Sequence, residues 1–177
     1  MDTNAKLYQD MTKILVKRED IQKAVAQLGR EITRDYQGRD LVMVCILKGA
    51  SVFFSDLIRE VDLPVTLDFM ALSSYRNSTK SSGVVQITRD LQRDISGRDI
   101  IVVEDILDSG NTLYFLKDYM LAKGANSITI VTLLDKPPAG KSPFTPIWRA
   151  LRCRTSSWWA SGWTTASSIA ICPTSAC

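Results

Sequence analysis

The stretch Ile100-Ile-Val-Val-Glu-Asp-Ile-Leu-Asp-Ser-Gly-Asn-Thr-Leu113 decides the fold, because it joins an apolar run to a helical pattern through small polar residues. The β-branched run from Ile100 to Val103 predicts a buried strand of a parallel sheet. The pattern that starts at Leu113 predicts an amphipathic helix. A turn between two such elements gathers unpaired N–H groups at the positive end of the helix, so we expect it to bind a phosphorylated sugar.

The turn itself carries the residues that this anion needs. Gly110 lets the backbone approach a ligand closely, and Ser109 and Thr112 add hydroxyl donors. Asp108 and Asn111 complete the turn. A simpler interpretation stays open from the pattern alone, in which the Asp and Ser only cap the helix.

Glu104 and Asp105 lie side by side at the end of the predicted strand. Alternation along a strand sends neighbouring side chains to opposite faces unless the backbone turns there. Both carboxylates are hard oxygen ligands, and Mg²⁺ prefers carboxylates together with substrate oxygens. We therefore expect the pair to bind Mg²⁺ or the hydroxyl groups of a ligand.

Helical and strand patterns alternate along the chain. Predicted helices cover about residues 19–36, 51–61 and 113–123, and predicted strands cover about residues 41–47, 65–72, 84–88, 100–104 and 127–134. This alternation predicts an α/β fold whose mostly parallel sheet is covered by helices on both faces. Ligands of such sheets bind at the carboxyl ends of the strands, where the polar loops of this sequence fall.

Four segments resemble one protein family. Val102-Val-Glu-Asp-Ile-Leu-Asp-Ser-Gly-Asn-Thr112 resembles the phosphoribosyl-pyrophosphate signature of the type I phosphoribosyltransferases. Three others resemble, in the same order, the hypoxanthine (guanine) branch: Cys45-Ile-Leu-Lys-Gly-Ala50, Asp68-Phe-Met-Ala-Leu-Ser-Ser-Tyr75 and Leu133-Leu-Asp-Lys-Pro137. The resemblance covers about residues 12–146. It implies a type I phosphoribosyltransferase-like fold, with a small hood region formed by the terminal segments.

The resemblance assigns further residues to the site. Lys48 and Gly49 correspond to a loop that contacts pyrophosphate and has a non-proline cis peptide before the lysine, although an ordinary turn fits the pattern equally well. Ser74 and Tyr75 correspond to a lid that excludes water, although a polar loop of this kind is by itself only mobile. Lys136 corresponds to the residue that donates to the 6-oxygen of the purine, the alternative being a surface pair with Asp135.

The implied reaction converts hypoxanthine, and guanine as well, with 5-phosphoribosyl 1-pyrophosphate into the nucleoside 5′-monophosphate and pyrophosphate. Mg²⁺ is the implied cofactor. Asp108 is the implied catalytic residue, because it accepts or relays the proton of the purine ring nitrogen. The resemblance also implies dimers or tetramers of identical chains.

Composition argues against other classes of protein. The chain has 177 residues, of which 45% are hydrophobic, and no run of 18 apolar residues, so we expect a cytoplasmic protein without a membrane span. Residues 1–146 carry 19 basic and 19 acidic side chains, so no basic face for nucleic acid is expected. No nucleic-acid or membrane partner is expected, and the partners that the resemblance implies are small-molecule substrates.

The tail from Ile147 departs from the rest of the sequence. It holds four Trp, three Cys, ten Ser or Thr and no acid, whereas residues 1–146 contain no Trp. Back-translation into a shifted frame turns Trp163-Thr-Thr165 into Leu-Asp-Tyr and places Phe at Ser157, as the family's C-terminal segment requires. We therefore expect a phosphoribosyltransferase domain over residues 1–146 and a frame-shifted tail over residues 147–177, the alternative being a natural Trp-rich tail.

Two functions from different classes are compatible with this sequence. The first is a purine salvage transferase, favoured by the acid pair and by Lys136. The second is a non-catalytic member of the same fold that binds a nucleotide or RNA as a regulator, because fold does not fix function. The neutral body of the chain and its intact acids favour the transferase.

Overall fold

The computed structural model describes residues 13–74, 85–107, 111–135, 148–152, 164–165 and 168–171. Within these ranges it contains three helices: α1 (Arg18–Asp35), α2 (Ser51–Glu60) and α3 (Asn111–Ala122). The strands are β1 (Lys13–Val16), β2 (Leu41–Leu47), β3 (Thr66–Ser74), β4 (Val85–Arg89), β5 (Asp99–Leu107), β6 (Ser127–Asp135), β7 (Trp148–Arg152), β8 (Thr164–Thr165) and β9 (Ser168–Ile171). The predicted helices and strands are all present and agree with these bounds to within three residues.

Six strands form the main sheet, in the order β4-β3-β2-β5-β6-β7. Every pair in it is parallel except β3 with β4, which is antiparallel at one edge. In the described part of the chain, a separate three-stranded sheet joins β1 to β9 and β8, so the two terminal segments pair with each other. The predicted mostly parallel α/β fold with a terminal region is therefore confirmed, although the sequence patterns did not reveal β1 or the strands of the tail.

Helices cover both faces of the main sheet, as the continuous apolar strands require. On one face, α1 and α2 bury side chains against alternate residues of β2, β5 and β6; these include Ile32, Phe54, Met43, Ile101 and Val131. On the other face, α3 covers the intervening residues, including Leu116, Met120, Val44, Val102 and Ile130. Because helices pack on both faces, each strand of the sheet is held in place. The loop that follows each strand therefore starts from a fixed position.

Cys45 lies in the middle of β2 and is fully buried between these layers. Burial raises the pKa of its thiol to about 12, with smaller contributions from the negative charges of Glu104 and Asp105. Cys45 therefore serves as a small buried hydrophobic residue of the core, as free cysteines in protein interiors commonly do.

Asp68 in β3 is a buried carboxylate that organises the backbone nearby. Its Oδ2 accepts hydrogen bonds from the N–H groups of Gln92 at 2.9 Å and Arg93 at 3.2 Å, and its Oδ1 accepts from its neighbour Phe69 at 2.7 Å. The segment after β4 is thereby tied to β3, although these two parts of the chain are more than twenty residues apart.

None of the helices in the described ranges has the length and apolar character needed to cross a membrane.

Candidate functional site

The carboxyl ends of β3, β2, β5 and β6 lie next to one another at one edge of the main sheet. Lys48 and Gly49 follow β2 directly, and Glu104 and Asp105 lie in the last part of the neighbouring strand β5. Thr112 lies in the first turn of α3. The structure therefore brings these predicted residues, which come from three separate segments, to the same edge.

Other predicted site residues fall outside what the structure describes. Residues 108–110, with Asp108, Ser109 and Gly110, are not described, nor are Tyr75 and Lys136. For Ser74, at the end of β3, and Asn111, at the start of α3, only the backbone is described. The roles assigned to all of these residues stay predictions.

The loop after β2 packs directly against the acid pair on β5. A Cβ added at Gly49 would collide with the carboxylate of Asp105, lying only 2.9 Å from its Cγ. The absence of a side chain at this position is what allows the carboxylate to lie against the loop. The carboxylate is also oriented from its own strand, because its Oδ1 accepts a hydrogen bond from the Ile106 N–H at 2.9 Å.

The peptide bond between Leu47 and Lys48 is cis, as the family resemblance predicts. The carbonyl oxygen of Lys48 accepts a hydrogen bond from the Ser51 hydroxyl at 2.8 Å and one from the Ser51 N–H at 3.2 Å. These two bonds fix the loop to the first turn of α2, while the Lys48 residue itself is exposed. An exposed ammonium beside a fixed backbone is suited to contact a diphosphate.

Glu104 is the site acid in the described part of the chain whose pKa is strongly shifted. Burial raises the pKa of its carboxyl to about 9, and the adjacent Asp105 adds to the shift through its charge and a hydrogen bond. Its Oε2 atom is buried and has no hydrogen-bond partner among the described residues. A buried carboxyl oxygen without a partner at the carboxyl end of a strand is typical of a group that a ligand completes.

The donor set fits a magnesium ion shared with a substrate. Among the described residues, no group of three or more His, Cys, Asp or Glu side chains converges on one point. Mg²⁺ in phosphate-binding sites commonly uses one or two carboxylates and completes its shell with waters and substrate oxygens. Glu104 and Asp105 supply two such carboxylates, and the unpartnered Oε2 is free to accept an ion or a hydroxyl group.

Sequence reasoning did not single out Thr132, which lies on β6 beside the site. Its side chain is completely buried, and its Oγ1 also has no hydrogen-bond partner in the described part of the chain. The available signal was a polar residue inside the apolar run of Ile130, Val131, Leu133 and Leu134.

Comparison with known proteins gives a consistent result. Residues 11–167 match the family model described as phosphoribosyl transferase domain. The chain is 44% identical over 136 residues to a hypoxanthine-guanine phosphoribosyltransferase of Staphylococcus aureus, covering 77% of this chain and 76% of that protein. It is 45% identical over 139 residues to the bifunctional protein TilS/HprT of Listeria monocytogenes, covering 78% of this chain. The chain spans about a fifth of the length of that relative, the alignment covering 21% of it.

Solved structures show the same similarity. A hypoxanthine phosphoribosyltransferase of Staphylococcus aureus superimposes with a TM-score of 0.80 at 40% identity, over 86% of this chain and 83% of that one. The hypoxanthine phosphoribosyltransferase of Trypanosoma cruzi in complex with the product IMP superimposes with a TM-score of 0.82 at 26% identity, over 96% of this chain and 98% of that one. The predicted family and fold are both confirmed.

Replacing Glu104 by Gln is expected to stabilise the ligand-free protein. The unfolded chain loses this proton near pH 4.5, whereas the folded chain keeps it up to about pH 9, so wild-type stability falls as the pH rises between these values. At pH 8 the variant with the neutral amide should have a free energy of unfolding about 1 to 3 kcal/mol higher than wild type, or a Tm roughly 3 to 10 °C higher. At pH 5 the gain should almost vanish. Thermal unfolding at both pH values measures it, with the exposed Glu60→Gln as control, and a gain independent of pH would contradict the assignment.

Replacing Gly49 by Ala is expected to weaken binding of phosphoribosyl pyrophosphate, because the added methyl group displaces the Asp105 carboxylate. We expect a loss on the order of tenfold in affinity in the presence of Mg²⁺, measured by titration calorimetry. The double variant with Asp105→Ala separates the cause. If the methyl group acts through Asp105, adding it to the Asp105→Ala variant should lower the affinity little further. An equal loss of affinity in the wild-type and Asp105→Ala backgrounds would exclude this coupling.

Proposed function

The chain belongs to the phosphoribosyl transferase domain family, and within this family we propose that it acts as a hypoxanthine-guanine phosphoribosyltransferase. It would transfer the phosphoribosyl group of 5-phosphoribosyl 1-pyrophosphate to hypoxanthine or guanine, forming IMP or GMP and releasing pyrophosphate. Identity of 44% to the Staphylococcus aureus enzyme of that name, over about three quarters of each chain, supports the proposal. The Trypanosoma cruzi structure that superimposes on this chain holds IMP, the product of such a reaction.

One contact carries the proposal most directly, namely that of Asp105 with Gly49. The contact lies between the loop after β2, which we propose binds pyrophosphate, and the acids at the end of the neighbouring strand β5, which we propose bind the ribose. A substrate that carries pyrophosphate on its anomeric carbon would bridge these two groups. The backbone of the loop and the Asp105 carboxylate are each held by hydrogen bonds before the substrate arrives, so little entropy is lost in aligning it.

The proposal gives the residues at this edge of the sheet the following roles in binding. Lys48 and the backbone of Gly49 would hold the pyrophosphate, while Glu104 and Asp105 would bind the ribose hydroxyls or the metal shell. Thr112, with Asn111 and residues 108–110, would clamp the 5′-phosphate at the start of α3. Holding both ends of the ribose keeps its anomeric carbon in line for attack by the purine nitrogen.

We also propose Mg²⁺ as the cofactor, held by Glu104 and Asp105 together with substrate oxygens. When bound, it would neutralise the charge that develops on the departing pyrophosphate. The orphaned Oε2 of Glu104 supports this choice of residues.

The remaining roles concern residues whose side chains the structure does not describe. Asp108 would accept the proton of the purine ring nitrogen, and no histidine competes with it because the chain has none. Lys136 would donate to the 6-oxygen of the purine, and Ser74 and Tyr75 would close over the site to exclude water. We further propose that the protein works in the cytoplasm as a dimer or tetramer of identical chains.

For the tail we propose that residues 147–177 are read in a shifted frame. The abrupt change in composition supports this. The family model nevertheless extends into the tail, to residue 167, and β7 from the tail pairs with β6. The shift would thus alter side chains more than it alters the path of the backbone.

Correcting the frame from residue 147 onward should restore purine binding. The corrected sequence has Phe in place of Ser157 and Asp in place of Thr164, and stacking of a base on an aromatic ring contributes about 1 to 3 kcal/mol. We expect the KM for hypoxanthine to fall on the order of tenfold or more, with unchanged affinity for phosphoribosyl pyrophosphate. Steady-state kinetics and calorimetry on both chains measure this, and the intact mass identifies which chain the natural gene produces. Equal purine KM values would argue for a natural tail.

Nucleotide formation from phosphoribosyl pyrophosphate, Mg²⁺ and each of hypoxanthine, guanine, xanthine and adenine tests the proposed reaction. We expect turnover with the 6-oxopurines and none with adenine. Asp108→Asn should lower kcat by about 10² to 10⁴ because it removes the proton acceptor, whereas the exposed Asp118→Asn should leave kcat unchanged. Binding of phosphoribosyl pyrophosphate without turnover by the frame-corrected chain would instead favour a regulator, and absence of both would refute the proposal.

A further inference from the structure

Thr132 and Glu104 occupy matching positions on neighbouring strands. They are register partners in the parallel pairing of β6 with β5. Thr132 Oγ1 and Glu104 Oε2 are the two buried side-chain oxygen or nitrogen atoms without a hydrogen-bond partner in the described part of the chain. Two unsatisfied polar atoms at one register position are unlike the rest of the core, where nearly all such groups are paired.

The geometry places the two side chains within reach of each other. Adjacent strands lie about 4.8 Å apart, and side chains at matching positions stand on the same face of the sheet. Val102 and Ile130, two residues earlier on the same strands, both pack beneath α3. By alternation Glu104 and Thr132 continue that layer, and rotation of the longer Glu side chain can bring its carboxylate to the hydroxyl.

The sheet leaves the Thr132 hydroxyl few other partners. At this position β6 is paired on both sides, with Glu104 of β5 and with Arg149 of β7. The nearby backbone N–H and C=O groups are therefore used in the hydrogen bonds between strands. Thr129 on the same strand shows the contrasting case. Its buried hydroxyl is bonded to the Tyr36 hydroxyl at 2.5 Å. A buried threonine of β6 can therefore be satisfied within the core, and Thr132 is not.

We propose that Thr132 is a positioning residue, whose hydroxyl donates a hydrogen bond to the Glu104 carboxylate when the substrate is bound and so fixes the orientation of that acid. An unpaired buried hydroxyl costs stability in the ligand-free protein, and the bond to a charged acceptor offsets this cost in the loaded site. The inference rests on the proposed function, because it assigns Glu104 to binding of phosphoribosyl pyrophosphate.

Three variants test it. Thr132→Val keeps the shape and removes the hydroxyl, Thr132→Ser keeps the hydroxyl and removes a methyl group, and Thr129→Val removes a hydroxyl that is already bonded. The readouts are Tm without ligand, the affinity for phosphoribosyl pyrophosphate with MgCl₂ by calorimetry, and KM and kcat. Binding of phosphoribosyl pyrophosphate is measured by calorimetry without a purine. The result is therefore independent of the residues of the tail that are proposed to affect purine binding.

We expect the effects on stability and on binding to diverge. Thr132→Val should keep or raise the Tm yet lose on the order of tenfold in affinity for phosphoribosyl pyrophosphate, whereas Thr132→Ser should lower the Tm and retain the affinity. Thr129→Val should lower the Tm with no loss of affinity. A merely structural role would make stability and affinity change together.

Two negative outcomes are distinguishable. If wild-type protein binds phosphoribosyl pyrophosphate and Thr132→Val binds it equally well, or if Thr132→Ser is as impaired as Thr132→Val, the positioning role is wrong and the proposed function stands. If wild-type protein shows neither a heat of binding nor turnover, the proposed function fails and the positioning role fails with it.

Discussion

The parallel pairing of β2 with β5 is the constraint on which the rest of the structure depends. It runs from Leu41 opposite Asp99 to Cys45 opposite Val103, and every one of these residues is buried. Parallel strands buried on both faces cannot shift by one residue without moving their side chains into the wrong layer. The register therefore fixes where each strand ends, and so sets the Gly49 loop against Asp105.

The same constraint explains why a costly acid pair persists. Glu104 and Asp105 are adjacent in sequence, and the end of a buried strand holds Glu104 in a poorly solvated position. Proteins tolerate such groups at ligand sites because the energy lost in the free state is recovered when a ligand supplies the missing partner. The strand register that builds the core thus also determines where the two acids of the site lie.

Much of the fold was predictable because the apolar strands and the amphipathic helices have clear periodicities. Leu41 to Leu47 is a continuous apolar run and gave its strand bounds directly. The strands Lys13–Val16 and Trp148–Arg152 could not be predicted, because short edge strands have little pattern of their own and form through pairing with partners distant in sequence. In the site, the family resemblance identified Gly49 and the acid pair identified Asp105, but the contact between these two residues depends on register between two strands. Thr132 was missed for the same reason, since the sequence does not show which residue of β5 lies beside it.

The buried thiol of Cys45 has a consequence for how this protein responds to oxidants. Because burial raises its pKa to about 12, the thiol stays protonated at neutral pH and is not the reactive thiolate. The sulfur lies close enough to Glu104 and Asp105 to be influenced by their charge, yet peroxides and disulfides require the thiolate and access to it. The folded core thus protects this sulfur from oxidation, so oxidants can react with Cys45 beside the candidate site only after the chain has opened.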